Sequence, residues 1–193
     1  MNIPIFPLPI FILPGGVSRI RVFEPRYLKM VAIAMKNQGF AVLPYTKVVT
    51  IDISNIASHV DIINFNQEDD GTLIIDVKCK SLVNVGSMTT DTDGLRHADI
   101  VQREHWQNEF PYTNLDITSD IYQTIHKQYD HLQELYQTPD YQNDIWIVSR
   151  WIELLPIDLE VKVAFFESDT FPAACQLLDE ILLKKKSDPK QTR

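Results

Sequence analysis

"FPLPIFILPGGVSRIRVFEPRYLKMV", residues 6–31, decides how the rest of the chain is read. Four prolines and a Gly-Gly pair interrupt a run that is otherwise almost wholly apolar. The run then turns into "FEPRYLKM", where charge, aromatic ring and proline crowd together. A secretory signal would need a basic start and a longer apolar core. Residues 1–5 carry no basic side chain, and the apolar segment 10–13 is bracketed by Pro9 and Pro14. The opening is therefore expected to be part of the fold, and the protein to be cytoplasmic. Within "FEPRYLKM", Pro25 suits the first position of a helix, where its missing N–H costs nothing. Tyr27, Met30, Val31, Ala34 and Met35 follow at the spacing of one apolar stripe, and Gly39 is expected to end the helix. The stretch reads as a strand-to-helix corner.

Around this corner the texture is β. "FAVLPY" (40–45), "KVVTIDI" (47–53), "HVDIINF" (59–65) and "TLIIDVKC" (72–79) are short β-branched runs bounded by turn residues. "NQEDDG" (66–71) ends in Asp-Gly and predicts a hairpin. "TTDTDG" (89–94) predicts a second turn, and "LRHADIVQREHW" a last strand. So many strands with one helix suggest a small barrel or sandwich.

Beyond a Pro-containing connector (107–115) the period becomes helical. "TSDIYQTIHKQYDHLQELYQ" predicts one helix capped by Thr118 or Ser119, with Ile121, Ile125, Tyr129, Leu132 and Tyr136 on one face. "TPDYQNDIWIVSRWIELLP" predicts a second, with Ile145, Val148, Ile152 and Leu155 inward, Trp146 and Trp151 off the stripe, and Pro156 as its stop. A short third helix is expected from Asp158 to Phe166. A fourth follows over "DTFPAACQLLDEILLKKK", its lysines at the negative end of the helix dipole. The expected organisation is α+β: a β-rich part over 1–112 and a helical bundle over 113–193.

The net charge is −8 in 193 residues. The tail 184–193 holds five basic and one acidic residue, which leaves −12 on the rest. An acidic body repels phosphate backbones, which argues against nucleic acid as partner. No stretch approaches the roughly 18 apolar residues of a membrane span. Cys79 and Cys175 lie far apart and outside any Cys-x-x-Cys pair, so separate thiols are expected and zinc is not. There is no P-loop, no Gly-x-Ser-x-Gly and no His-Glu-x-x-His. His126 and His131 fall off a common helical face, and His97 and His105 are read as a solvated strand face. The acid pairs Asp69–Asp70 and Asp91/Asp93 fall in predicted turns. No nucleophile has a visible base, so the chain reads as a non-enzyme without cofactor.

At this point the opening resembles a known pattern. Phe6-Pro7-Leu8, Leu13-Pro14-Gly15-Gly16, Arg21 and the segment "FEPRY" (23–27) match the "PLFPL…LFPGG…LRIFEPRY" start of the Lon N-terminal, or substrate-binding, domain. The match is closest to the stand-alone proteins that carry this domain without the protease, and "WIELLPIDLEVKVAFFESD" in the helical half is similar to the family too. The chain departs from the family where "SNIASHVDI" replaces a Gly-Thr-type strand opening and "VKCKSLVNV" a "VEGxxRF"-like strand. The resemblance implies a PUA-like pseudo-barrel followed by a helical bundle. It also implies a non-catalytic protein- or peptide-binding module for unfolded proteins or apolar peptides, an adaptor in proteolysis or protein quality control. RNA binding through the PUA-like part, and a small-molecule site at the seam between the halves, are the alternatives.

Trp106, Phe110 and Tyr112 cluster in the connector, where they could pack the seam or form an aromatic groove for apolar peptide. Glu24 and Arg26 suit hydrogen bonds that fix the corner while Tyr27 packs inward. Arg26 is also a peptide-binding candidate, because it sits beside an apolar loop.

Overall fold

The computed structural model describes residues 1–36, 39–45, 55–107 and 111–183. Strands β1 (Asn2–Leu8) and β2 (Val17–Val22) precede helix α1 (Pro25–Lys36). Strands β3 (Phe40–Pro44), β4 (Ile56–Gln67), β5 (Leu73–Thr90) and β6 (Arg96–Arg103) follow. Then come α2 (Leu115–Gln128), α3 (Asp130–Leu135), α4 (Asp144–Leu154) and α5 (Leu159–Val163) with a 3₁₀ turn over Ala164–Phe166. The last are α6 (Phe171–Leu178) and a π turn over Asp179–Leu183. The expected strand at 47–53 and the lysines 184–186 lie outside the described residues.

The hairpin at 66–71 organises the sheet. Gly71 takes φ +84°, Glu68 N–H donates to the Thr72 carbonyl, and Asp70 accepts from the Thr72 N–H. From this turn β5 runs for 18 residues. Along one side it pairs with β4; along the other, β2 takes its first part and β6 its second. Because β6 also pairs with β1, and β1 lies parallel to β3, the strands close into a ring. Register shifts in β4 and between Val85 and Met88 mark where the strands bend to close it.

The apolar opening follows from this topology. Ile3 and Ile5 of β1 pack in one cluster with Ala41, Val83 and Ala98, while Phe6 packs in another with Met30, Phe40 and Ile75. A strand buried on both faces reads as a continuous apolar run. Met30, Val31 and Ala34 of α1 are buried as expected. Met35 is 55% exposed; it lies about 80° from the centre of the stripe, beyond the sheet.

The helical half corrects two expectations. The first helix begins at Leu115, so Thr118 and Ser119 sit inside it and are buried rather than capping it. Their hydroxyls donate to carbonyls, Thr118 to Asn114 and Ser119 to Tyr141, which makes them acceptable there. The expected single helix breaks at Tyr129, whose φ and ψ of −118° and 106° are extended. The inward face of α2 is carried by Tyr122 and His126, with Ile121 and Ile125 half-buried, and Tyr129 is exposed. In α4 the cap is Asn143, which accepts from Trp146 N–H at 2.9 Å. Ile147 and Trp151 join Val148 and Ile152 in the core, while Ile145 is half-buried. That core also takes in Phe11, Leu13, Ile56 and Leu82, so the helices pack directly on the sheet.

Candidate functional site

The seam between sheet and helices is built on a charge. Arg150 of α4 is 1% exposed and forms a two-pronged pair with Glu153 one turn later: Nε to Oε2 at 2.7 Å and Nη2 to Oε1 at 2.8 Å. Both side chains reach the "LPGG" loop. Arg150 Nη2 donates to the carbonyls of Leu13 and Pro14, each at 3.3 Å, and Leu13 N–H donates to Glu153 Oε1 at 2.7 Å. The guanidinium also lies 5.6 Å from the Trp146 ring and 5.7 Å from the Tyr136 ring, which meet each other edge-on, a cation beside two aromatic rings. Burial pulls the Arg150 pKa down, but the adjacent Glu153 more than offsets this and raises it, so the guanidinium stays charged.

Gly16 is required by this approach. A Cβ there would collide with Glu153 Oε1 and stand 2.8 Å from Ile12 Cγ2 and 2.9 Å from Arg150 Nη2. Gly15 has φ +79°, which L side chains rarely adopt. The loop is tied to the sheet as well, since Gly15 N–H donates to the Cys79 carbonyl and Cys79 N–H to the Gly16 carbonyl. Burial pushes the Cys79 thiol up to about 12, which leaves it inert. Just past the loop, Val17 N–H donates to Tyr136 Oη at 2.8 Å, and that hydroxyl donates back to the Val17 carbonyl.

Beside this lock the seam opens into a cavity of ≈ 560 Å³. Its walls are the 9–12 segment and the start of β2 on one side, and Leu132, Leu135, Leu154 and Ile157 of the helical half on the other. Tyr122 reaches it, and its buried hydroxyl has no hydrogen-bond partner among the described residues. A second cavity, of ≈ 420 Å³, lies at the corner between 6–9 and the end of β2, with Phe23, Arg26, Tyr45 and Arg96 around it.

The sequence-derived candidates are placed apart from one another. Trp106 is 6% exposed; its indole N–H donates to Thr170 Oγ1 at 3.0 Å and its ring meets Phe171 edge-on. Tyr112 is equally buried, with its hydroxyl on Asp179 at 2.7 Å and its backbone N–H on Asp144. Both are core groups whose polar ends have found partners inside, and Phe110 lies outside the described residues. The connector thus packs the helices through Trp106 and Tyr112 and offers neither ring as open surface. His105, expected on a solvated strand face, lies past the end of β6. It stacks on Trp106 and donates to the Phe165 carbonyl, and burial pushes it down to about 4. At the corner, Arg26 Nη2 meets Glu24 at 2.6 Å and its guanidinium lies 4.8 Å over the Tyr27 ring. Tyr27 in turn stacks on Phe6 with ring centroids 4.1 Å apart. Among the described residues no group of His, Cys, Asp or Glu could hold a metal ion, and no helix is long and apolar enough to cross a membrane. Cys79 and Cys175 are both free thiols.

A profile of the family described as "ATP-dependent protease La (LON) substrate-binding domain" matches residues 2–184. The chain belongs to that family. Among solved structures it is similar to a Lon N-terminal domain protein from Xanthomonas campestris, with TM-score 0.68 and 23% identity over 92% of this chain and 97% of that one. It is also similar to the N-terminal domain of Mycobacterium avium complex Lon protease, with TM-score 0.64 and 10% identity over 93% and 97%. Identities this low show the fold, which is the α+β fold of Lon N-terminal domains. No curated protein sequence gives a match.

The two motifs that carry the Lon resemblance have different tasks in this fold. "LPGG" receives the buried Arg150–Glu153 pair, whereas "FEPRY" turns the chain from β2 into α1. The pair itself was legible only as a flaw: an Arg and a Glu three apart in the run "WIVSRWIELL", which apart from them and Ser149 is apolar. Charges on an apolar helix face are rarely buried unless paired.

Proposed function

We propose that this chain is a non-catalytic module that captures exposed segments of unfolded client proteins, and that it serves as an adaptor in proteolysis or quality control. The seam cavity is the observation that carries this reading: a largely apolar trough with walls from both halves, in a chain of the Lon substrate-binding family. Such a trough takes apolar side chains, and the cations at its rim are already engaged, Arg19 with Asp76 and Glu134 and Lys162 with the Glu153 carbonyl. The net charge of −8 favours basic-apolar clients through steering.

Reduced, fluorescently labelled casein is expected to bind in anisotropy titrations and to remain intact, with no ATP turnover. Leu154→Asp tests the site, because Leu154 lines the cavity and is exposed. It should weaken casein binding several-fold without changing the melting temperature. Casein binding that is absent in the folded wild-type chain, or casein cleavage that a point mutation abolishes, would overturn the reading.

A further inference from the structure

Buried donors and acceptors in a folded chain are nearly always paired, so an exception asks for a partner. Among the described residues four buried side-chain atoms have none: Arg26 Nε, Tyr122 Oη, Ser149 Oγ and Arg150 Nη1. Two of these residues, Tyr122 and Arg150, line the seam cavity together. Tyr122 is 0% exposed and Arg150 1%. Both flank Trp146: the Tyr122 ring meets it edge-on at 5.5 Å, and the guanidinium lies 5.6 Å from its ring. The other guanidinium nitrogens are taken, Nε by Glu153 and Nη2 by Glu153 and the carbonyls of Leu13 and Pro14.

The two unpaired atoms define what would satisfy them. Arg150 Nη1 can only donate, and the Tyr122 O–H donates to any acceptor in reach, whereas a carbonyl oxygen has two lone pairs to offer. Glu153 decides the charge of that acceptor. It already balances the guanidinium, so a carboxylate added here would be a buried charge without a counterion, and a neutral carbonyl would not. The remaining walls include Phe11, Leu132, Leu154 and Ile157, so the carbonyl must arrive on an apolar stem. The cavity of ≈ 560 Å³ falls within the about 300–1,000 Å³ usual for a pre-formed ligand site. A primary amide on two methylenes, the side chain of glutamine, is neutral, carries the carbonyl and has the stem.

We infer that the seam cavity anchors a client by a glutamine side chain set between apolar residues. Its amide carbonyl accepts from Arg150 Nη1 and Tyr122 Oη, and the apolar neighbours fill the trough. This rests on the client-binding reading above and adds to it the residue type that is read and the two groups that read it. Apolar contact tolerates many sequences. The amide selects among them, because a client that excludes water without supplying a carbonyl leaves both donors buried and unpaired.

The test uses the full chain and a labelled peptide, Lys-Lys-Leu-Val-Gln-Val-Leu-Lys-Lys, read by anisotropy. Two further versions replace the central Gln with Met, which keeps the length without the carbonyl, and with Glu, which keeps the shape and adds a charge. The Gln peptide is expected to bind and to displace casein. The Met and Glu peptides should each bind about tenfold more weakly, the size of one or two hydrogen bonds. In Tyr122→Phe the lead of Gln over Met should shrink to about threefold, since one of the two bonds is gone. The melting temperature of that variant should not fall, because the hydroxyl has no partner to lose in the free chain. A fall of more than a few degrees would show that the hydroxyl is satisfied internally and would overturn the anchor. So would equal binding of the Gln and Met peptides, a Glu peptide as tight as the Gln peptide, an unchanged lead in Tyr122→Phe, or casein that the Gln peptide does not displace. Each of these leaves client binding standing, whereas absence of casein binding overturns both.

Discussion

Of the arginine–glutamate pairs that hold the opening of this chain, two with N···O distances of 2.6 to 2.8 Å sit in opposite surroundings. At the corner, Arg26 and Glu24 are about a third exposed or more. At the seam, the Arg150 side chain is 1% exposed and that of Glu153 13%. An exposed pair exchanges its water for little gain, because solvent screens the attraction. A buried pair cannot recover its hydration if one partner leaves, so each member holds the other hostage. The same two residue types thus make a trim at one end of the opening segment and a lock at the other.

The largest effect should come from unpairing the lock. Glu153→Ala strands a buried guanidinium and removes the acceptor of Leu13 N–H, and should cost about 3–5 kcal/mol in urea unfolding. A loss below about 1 kcal/mol would show that Arg150 finds water or another partner, and would erase the contrast. Gly16→Val attacks the same lock from the loop side, since the new side chain displaces Glu153 and Ile12. It should destabilise comparably.

Next in size is Tyr27→Ala at the corner, at about 2–3 kcal/mol. The ring stacks on Phe6 in the sheet core but is only partly buried, so the loss falls below that of a fully enclosed aromatic. Should Tyr27→Ala equal Glu153→Ala, the corner would be as much a lock as the seam.

A third expected effect is pH-dependent and belongs to the helical side. His105 in the folded chain titrates at about 4, below its ordinary 6.5, because burial disfavours the charged ring. The unfolded chain therefore takes up a proton that the folded chain refuses across that interval. Stability from this group is whole above pH 6.5 and is lost as the pH falls from 6.5 to 4, by about 3 kcal/mol. His105→Gln, which keeps a donor for the Phe165 carbonyl without titrating, should flatten this part of the profile. An unchanged slope would place the titration elsewhere.

The smallest effect should be that of Arg26→Ala. Its pair is exposed, so less than about 1 kcal/mol is expected, seen as a melting temperature within a few degrees of wild type. A larger loss would mean that the stacking of Arg26 over Tyr27, not its charge, holds the corner.

Local chemistry made much of the fold legible. Pro25 begins α1 where its ring requires, Asp-Gly at 70–71 turns β4 into β5, and the strands and helices divide where the hydrophobic period changes. The aromatic connector left two readings open, packing of the seam or an aromatic groove, because composition does not reveal burial. Trp106 and Tyr112 take the first of these, since each satisfies its polar atom in the core. The seam cavity was illegible because its walls are more than a hundred residues apart in the chain.

Sequence alone determined which segments extend, which coil and where they turn, because backbone restriction, hydrogen-bond periodicity and turn geometry act over a few residues. It also determined the family, through motifs that must meet the same local constraints. Tertiary structure decided that β5 is shared by three strands, that β2 pairs on one side only among the described residues, and that Arg150 is buried rather than solvated. Those outcomes depend on which distant surfaces exclude water from one another. A side chain's charge has its full consequence only after that exclusion has happened.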